Sequence, residues 1–248
     1  MITSIIRHEL RQAMNNPKIW YFLATTQAML AILFKWLLTN FLKTKSIIQT
    51  THYGITEEVI HPFYGWFALL MLILLPMIAT QAFCAEKQRG TMINYYCSPI
   101  TGLQLLLAKF LSLNILIFIA IVISSLMPIT ILISGSLDWG QFTAVILGVY
   151  LMLSAALATS LGFSIFMHNT LRSNAVIFLA LTIFVMLEWA AQYTAGHAMF
   201  LQTFGLLSPL KTFLAGILSI RHIAYYMLVI ISFLLLGAWR YSRRWNNA

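Results

Sequence analysis

Charge is what this chain lacks. Only 8% of its 248 residues are Asp, Glu, Lys or Arg, where a soluble domain carries about 25%. The acids number six: Glu9, Glu57, Glu58, Glu86, Asp138 and Glu188. A soluble fold made of these residues would leave large apolar patches in water, which excludes a water-soluble globular domain. Cysteine is scarce too. Cys84 and Cys97 form no CxxC pair, so they supply neither a disulfide framework nor a cysteine zinc site, and both read as structural. GxxxxGK(S/T), HExxH and GxSxG are all missing. The chain therefore carries no phosphate-binding loop, zinc-protease helix or nucleophile elbow of its own. An enzyme active site needs converging polar groups, and the apolar segments offer too few.

What is present is apolar. Such residues make up 60% of the chain, and mean hydropathy is +0.86. A bilayer-crossing helix takes about 20 mostly apolar residues. Six segments meet that length: Ile19–Leu42, Phe63–Phe83, Leu105–Ile133, Phe142–Met167, Ala175–Ala195 and Ile223–Arg240. The third is long enough to tilt, or to kink at Pro128. The expected fold is all-α and polytopic, one transmembrane domain spanning 1–248. The formal net charge of +9 calls for no nucleic acid, because excess Lys and Arg in a membrane chain sets orientation and meets anionic headgroups. With the N-terminus inside, the inner segments hold Arg7, Arg11, Lys18, Lys87, Arg89, Lys109, Arg172, Arg240, Arg243 and Arg244. The outer ones hold Lys43, Lys45, Lys211 and Arg221, a ratio of ten to four, with Lys35 inside the first crossing. The positive-inside rule then puts both termini in the cytoplasm. The run near Arg7 and Arg11 imitates a signal peptide, but it is too long and lacks a small-x-small cleavage site.

Ile2–Met14 ("ITSIIRHELRQAM") sets Ile2, Ile5, Ile6, Leu10 and Ala13 near helical spacing, with Arg7, Glu9, Arg11 and Gln12 in between. This pattern predicts an amphipathic helix on the inner leaflet, ended by Asn15-Asn16-Pro17. The outer loop Thr44–His61 is polar. Its His52, Glu57, Glu58 and His61 match no compact ligand spacing, so no metal is expected. Phe204–Arg221 is apolar but broken by Gly205, Pro209 and Gly216, which fits a short re-entrant or interfacial hairpin on the outer side (residues 204–221) better than a seventh crossing. Away from the inner ends, Lys35 and Glu188 are the charged residues within the crossings. Each either reaches the outer interface or faces the other across a polar interior.

One charged island interrupts the apolar pattern, "AEKQRGTMINYYCSPITGLQLLLAKF" from Ala85 to Phe110. The second crossing ends near Cys84, and Glu86–Tyr96 reads as a helix along the inner surface. In it Met92, Ile93 and Tyr96 face inward, and Glu86, Lys87 and Arg89 face the cytoplasm. Ser98-Pro99 stops it, and Thr101 with Gln104 reads as a capping box opening the third crossing. Lys109, low on that crossing, suits a lipid phosphate. Gly90 marks a close approach or a special backbone conformation. On the residues alone, a rigid charged lever and an ordinary topology-setting basic loop are both open.

These residues resemble the permease subunits of ABC-2 type transporters, most closely the gliding-motility branch and the related permeases of copper-enzyme maturation. That family carries an E-x-x-x-G-T motif between its second and third crossings, then a Ser-Pro and a Lys-containing helix start. Here stand Glu86 to Gly90-Thr91, Ser98-Pro99 and Ala108-Lys109-Phe110. Arg7–Trp20 is similar to the family's N-terminal elbow, Leu137–Asn169 to its Asp-Trp-Gly loop and fourth crossing, and Leu210–Trp245 to its closing hairpin and basic tail. The chain departs in having Lys87 where a second acid is common, and Met92–Cys97 where aliphatic residues are usual.

The resemblance implies an ABC-2 (type V exporter-like) fold. It implies a non-catalytic subunit of the bacterial inner membrane that pairs with a second permease copy or a paralogue and with two ATPase subunits. ATP and Mg would be bound by that partner, and no cofactor by this chain. By the same resemblance 1–17 is the elbow and 85–100 the coupling helix, which sits in a groove of the ATPase. The expected contacts are Glu86, Lys87, Arg89, Gly90 and Thr91, with Arg11 near the elbow. Two alternatives stay open: a mechanotransmitting complex that uses the 44–61 loop to drive a periplasmic partner, and a helical scaffold or channel without an ATPase.

Overall fold

The computed structural model describes residues 2–15, 17–47, 56–88, 90, 102–133, 138–167, 169–193 and 205–245. Helix α1 is Ile2–Met14 and α2 is Pro17–Ile47. A π-helical turn, Thr56–Ile60, leads into α3, His61–Gln88. Helix α4 is Gly102–Ile129, extended by a 3-10 turn over Thr130–Ile133. Then come α5, Trp139–Phe166, and α6, Thr170–Tyr193. A short α7, Ser208–Leu214, precedes α8, Ile220–Trp245. Among the described residues, six helices (α2, α3, α4, α5, α6 and α8) are long and apolar enough to cross a membrane. Helix structure is what a bilayer demands, because each backbone N–H and C=O must find its partner within the chain. Six crossings bring α1 and the end of α8 to one face, here the terminal face.

The crossings differ in how much of each is covered. Of the most apolar stretch of α5, 78% is buried, against 17% in α6, 22% in α2 and 28% in α8. The composition of α5 explains its central place. From Ser154 to Ser164 it reads Ser-Ala-Ala-Leu-Ala-Thr-Ser-Leu-Gly-Phe-Ser. In lipid there is no hydrophobic force to draw helices together, so small side chains that let backbones close up, and hydrogen bonds between helices, have to do it. α8 and α3 make the most extensive contacts with α5, and α7 and α4 also lie against it. Gly148 is where α7 crosses α5. A Cβ there would overlap the ring of Phe213, so the absence of a side chain sets that approach. The 28-residue crossing helices reach about 42 Å at 1.5 Å per residue, more than a hydrocarbon core of about 30 Å.

Several polar groups inside the bundle are paired across helices. Ser154 donates to Asn114 Oδ1 at 2.6 Å, Tyr64 shares a 2.7 Å hydrogen bond with Ser125, and Gln27 Nε2 donates to Ser124 Oγ at 3.0 Å. Toward the face away from the termini, Phe63, Tyr64, Phe67 and Phe142 meet edge-on, with Phe34 and Trp139 at the margins. Below them Pro76 sits within α3. Lacking an N–H, it leaves one rung of the helix ladder unmade. Ser208–Leu214 is too short to cross, and Leu206, Leu210 and Phe213 are buried.

Candidate functional site

The charged island is held at both of its stems. The first stem is α3, which does not stop at Cys84. It continues through Glu86 and Lys87 to Gln88. Gly90 follows with φ of 72°, and its N–H donates to Lys87 O at 3.3 Å. This is the left-handed glycine that commonly ends a helix and satisfies its last carbonyls. Among the described residues, a Cβ at Gly90 would meet nothing within 4 Å. Of the two reasons for a glycine here, the special conformation is the one these residues display.

Lys87 does not point at open water. Its Nζ donates to Ile165 O at 2.6 Å and to Met167 O at 3.3 Å. These are carbonyls at the end of α5, whose cap residue is Met167. The final carbonyls of a helix lack intrahelical partners and carry the negative end of its dipole. A lysine at that end contributes up to about 2 kcal/mol when partly buried. Neighbours on α3 extend the latch. Cys84 Sγ donates to Ser164 O at 3.3 Å, Gln88 Nε2 donates to Asn169 Oδ1 at 2.9 Å, and Thr80 Oγ1 donates to Asn174 Oδ1 at 2.6 Å. The end of α3 is thereby fixed to the junction of α5 and α6.

The second stem is α4, and its anchor is an ion pair. Lys109 is completely buried, and its Nζ donates to Glu9 Oε1 at 2.9 Å, the Glu9 side chain being 9% exposed. The same ammonium lies 5.4 Å from the ring centre of Phe83 on α3, a cation–π distance. Two expectations are corrected here. Lys109 does not reach a lipid phosphate, and Glu9 does not belong to the water-facing side of α1. The reason is geometric. α1 packs on α4, and with Leu10 and Ala13 turned to the core the adjacent Glu9 is carried under α4 as well. Either charge buried without the other would be costly, so they meet. Arg7, His8 and Arg11 remain exposed and line an open concavity on α1.

The other expected residues divide as follows. Glu86 lies in the last turn of α3, its side chain outside the described residues. Arg89, Thr91 and the remainder of the island as far as Thr101 also lie outside them. Lys35 is exposed on α2, and the Glu188 side chain is outside the described residues, so no pair between them is described. Among the described residues no three His, Cys, Asp or Glu gather as a metal site. Reading the sequence missed the Glu9–Lys109 pair. Its available signal was that Glu9 is the sole acid of α1 and Lys109 the sole cation of α4.

The model of a family described as ABC-2 family transporter protein matches residues 3–244. No curated protein matches the chain.

Proposed function

The chain belongs to the ABC-2 transporter family, and from that premise we propose that it is the permease subunit through which a separate ATPase drives conformational change across the membrane. Membership makes it a multi-pass membrane protein of a transport system and implies an ABC ATPase partner. The finer reading adds two ATPase copies, a second permease copy and a bacterial inner membrane with the terminal face in the cytoplasm. The ratio of basic residues supports that orientation. The four motifs of the gliding-motility and copper-maturation branch support a place near it.

The observation that carries the reading is that the helices bordering positions 89–101 are both anchored. One stem is tied to the α5–α6 junction by Lys87 and Gln88, the other to α1 by Lys109. A push delivered between helices held in this way would reach two groups of helices. ATP binding would close the ATPase dimer against this segment, and the permease dimer would change state. Such a push shifts the equilibrium only so far as the ATPase interacts differently with the two states. Glu86, Arg89, Gly90 and Thr91 are assigned to the contact, with Arg11 beside them on α1. Lys87 is assigned to the transmission of force.

The test is Glu86→Lys in the purified complex. Permease-stimulated ATP hydrolysis should fall several-fold while membrane insertion is unchanged. Wild-type stimulation would remove the assignment. Failure of any ATPase with a phosphate-binding loop to co-purify would favour a scaffold or channel.

A further inference from the structure

Helix α1 turns its apolar side to the protein, not to lipid. Leu10 and Ala13 pack on the core, and Glu9 is buried against Lys109 of α4. Arg7, His8, Arg11 and Asn15 are exposed on the other side. Because α4 is a crossing helix, the side of α1 turned away from it looks outward along the membrane plane. Two observations set the depth of α1. Trp20 and Tyr21, in the first turns of α2, are 48% and 73% exposed, and exposed aromatic residues at the start of a crossing sit at headgroup level. Trp20 Nε1 donates to Met14 O, so α1 ends at that level. At its middle, Glu9 meets Lys109, which lies about 10 Å along α4 from Gly102 at 1.5 Å per residue. On α3, Gln81 lines a small cavity with Gln12 and Ala13 of α1, and the helix runs on to Gln88, again about 10 Å further. A headgroup layer is about 5–7 Å thick on each side. The two stems therefore pass through that layer into water, while α1 stays within it.

We infer that the outward face of α1 is a binding surface for an anionic phospholipid, held at its phosphate by Arg7 and Arg11. A guanidinium forks onto a phosphate through two parallel N–H donors. Residues four apart on a helix have Cβ atoms about 5–6 Å apart, so both arginines reach one headgroup. Among the described residues this face carries no acid, since Glu9 is the sole acid of α1 and is turned inward. Lys18, whose side chain lies outside the described residues, has the same sign as the arginines. A zwitterionic lipid brings a cation along with its phosphate and gains less from such a face. The attraction is one of charge, not of apolar insertion, because the apolar side of α1 is already covered. Arg11 then stands between two partners, lipid on the membrane side and the proposed ATPase contact on the other. The inference rests on membrane insertion and on the seat of α1, not on the ATPase.

Lipid retention by the full-length chain, without any ATPase, tests it. The chain is stripped of lipid in mild detergent and offered dioleoyl phosphatidylglycerol and dioleoyl phosphatidylcholine in equal amounts. Native mass spectrometry then counts the adducts. Phosphatidylglycerol should be favoured about 25-fold, a factor of about five for each cation near the surface. R7Q/R11Q should remove that preference. R172Q/R221Q, which takes away two exposed arginines elsewhere, should keep it to within about twofold. Raising sodium chloride from about 50 to about 500 mM should weaken retention, because exposed charges are screened. Equal losses in the two double variants would reduce the effect to net charge and overturn the inference. An unchanged preference in R7Q/R11Q would overturn it too, and loss of ATPase binding by that variant would then make the face a protein dock. Displacement of the lipid by millimolar glycerol phosphate would also overturn it, in favour of a soluble phosphate.

Discussion

Two lysines, 22 positions apart in sequence, anchor the two stems of one segment by different physics. Lys87 rests on backbone carbonyls at the end of α5, half-buried, and the charge opposite it is spread over a helix terminus. Lys109 is buried in the interior against the Glu9 carboxylate. The first arrangement tolerates loss, because the carbonyls of a helix end can turn to water. The second does not, because removing one partner strands a charge. The difference teaches that the α3 stem has a soft attachment and the α4 stem a hard one. A push between them should first work the joint at α5–α6 and carry α1 along as a fixed passenger of α4.

The largest effect should come from breaking the hard joint on one side. Lys109→Met takes from the buried Glu9 its ammonium partner and should cost about 3–5 kcal/mol, seen as a lowered melting temperature of the purified chain. E9Q/K109M should recover most of that loss. If the single and double variants melt alike, the pair is not what holds α1 to α4. The next effect belongs to the soft joint. Lys87→Met should cost about 1–2 kcal/mol, yet lower stimulated ATP hydrolysis more than Lys109→Met does once each is corrected for folded fraction. The reverse order would make the α4 stem, not the α3 stem, the joint that a push works first. Gly90→Val comes third. Its cost is confined to the backbone, about 1–2 kcal/mol for a β-branched residue at positive φ. Gly90→Asn should be milder, since Asn tolerates that region. Equal melting temperatures for the two variants would refute the conformational account. The smallest change is Gln88→Ala, which removes one surface hydrogen bond and should shift stability by no more than about 1 kcal/mol.

The crossings were legible because length and hydropathy suffice for them, and the resemblance already pointed to the family. The site was legible in position but not in facing. Helices apolar on every side give no period from which to read a direction, so Lys109 looked like a headgroup ligand. Its partner lies 100 residues earlier, a separation that no local pattern spans. Lys87 looked solvated for a related reason. The partners described for it include main-chain oxygens, which every residue has and which leave no mark in a sequence. The end of α3 was misplaced because polarity begins at Glu86, whereas the helix obeys its ladder and stops only where Gly90 adopts positive φ. The centrality of α5, by contrast, is written in its run of Ala, Ser, Thr and Gly.

Pro76 gives α3 a mechanical property that its sequence neighbours do not. Every contact of the soft joint (Thr80, Cys84, Lys87 and Gln88) lies on the same side of that missing rung. From Pro76 to Gln88 the helix forms an arm of roughly 18 Å at 1.5 Å per residue. Swinging it by about 10° would carry its tip roughly 3 Å along the terminal face, on that helix geometry. The aromatic cluster around Tyr64 would stay where it is. Such a swing would turn a small angle deep in the bilayer into a displacement on the scale of a hydrogen bond at the surface.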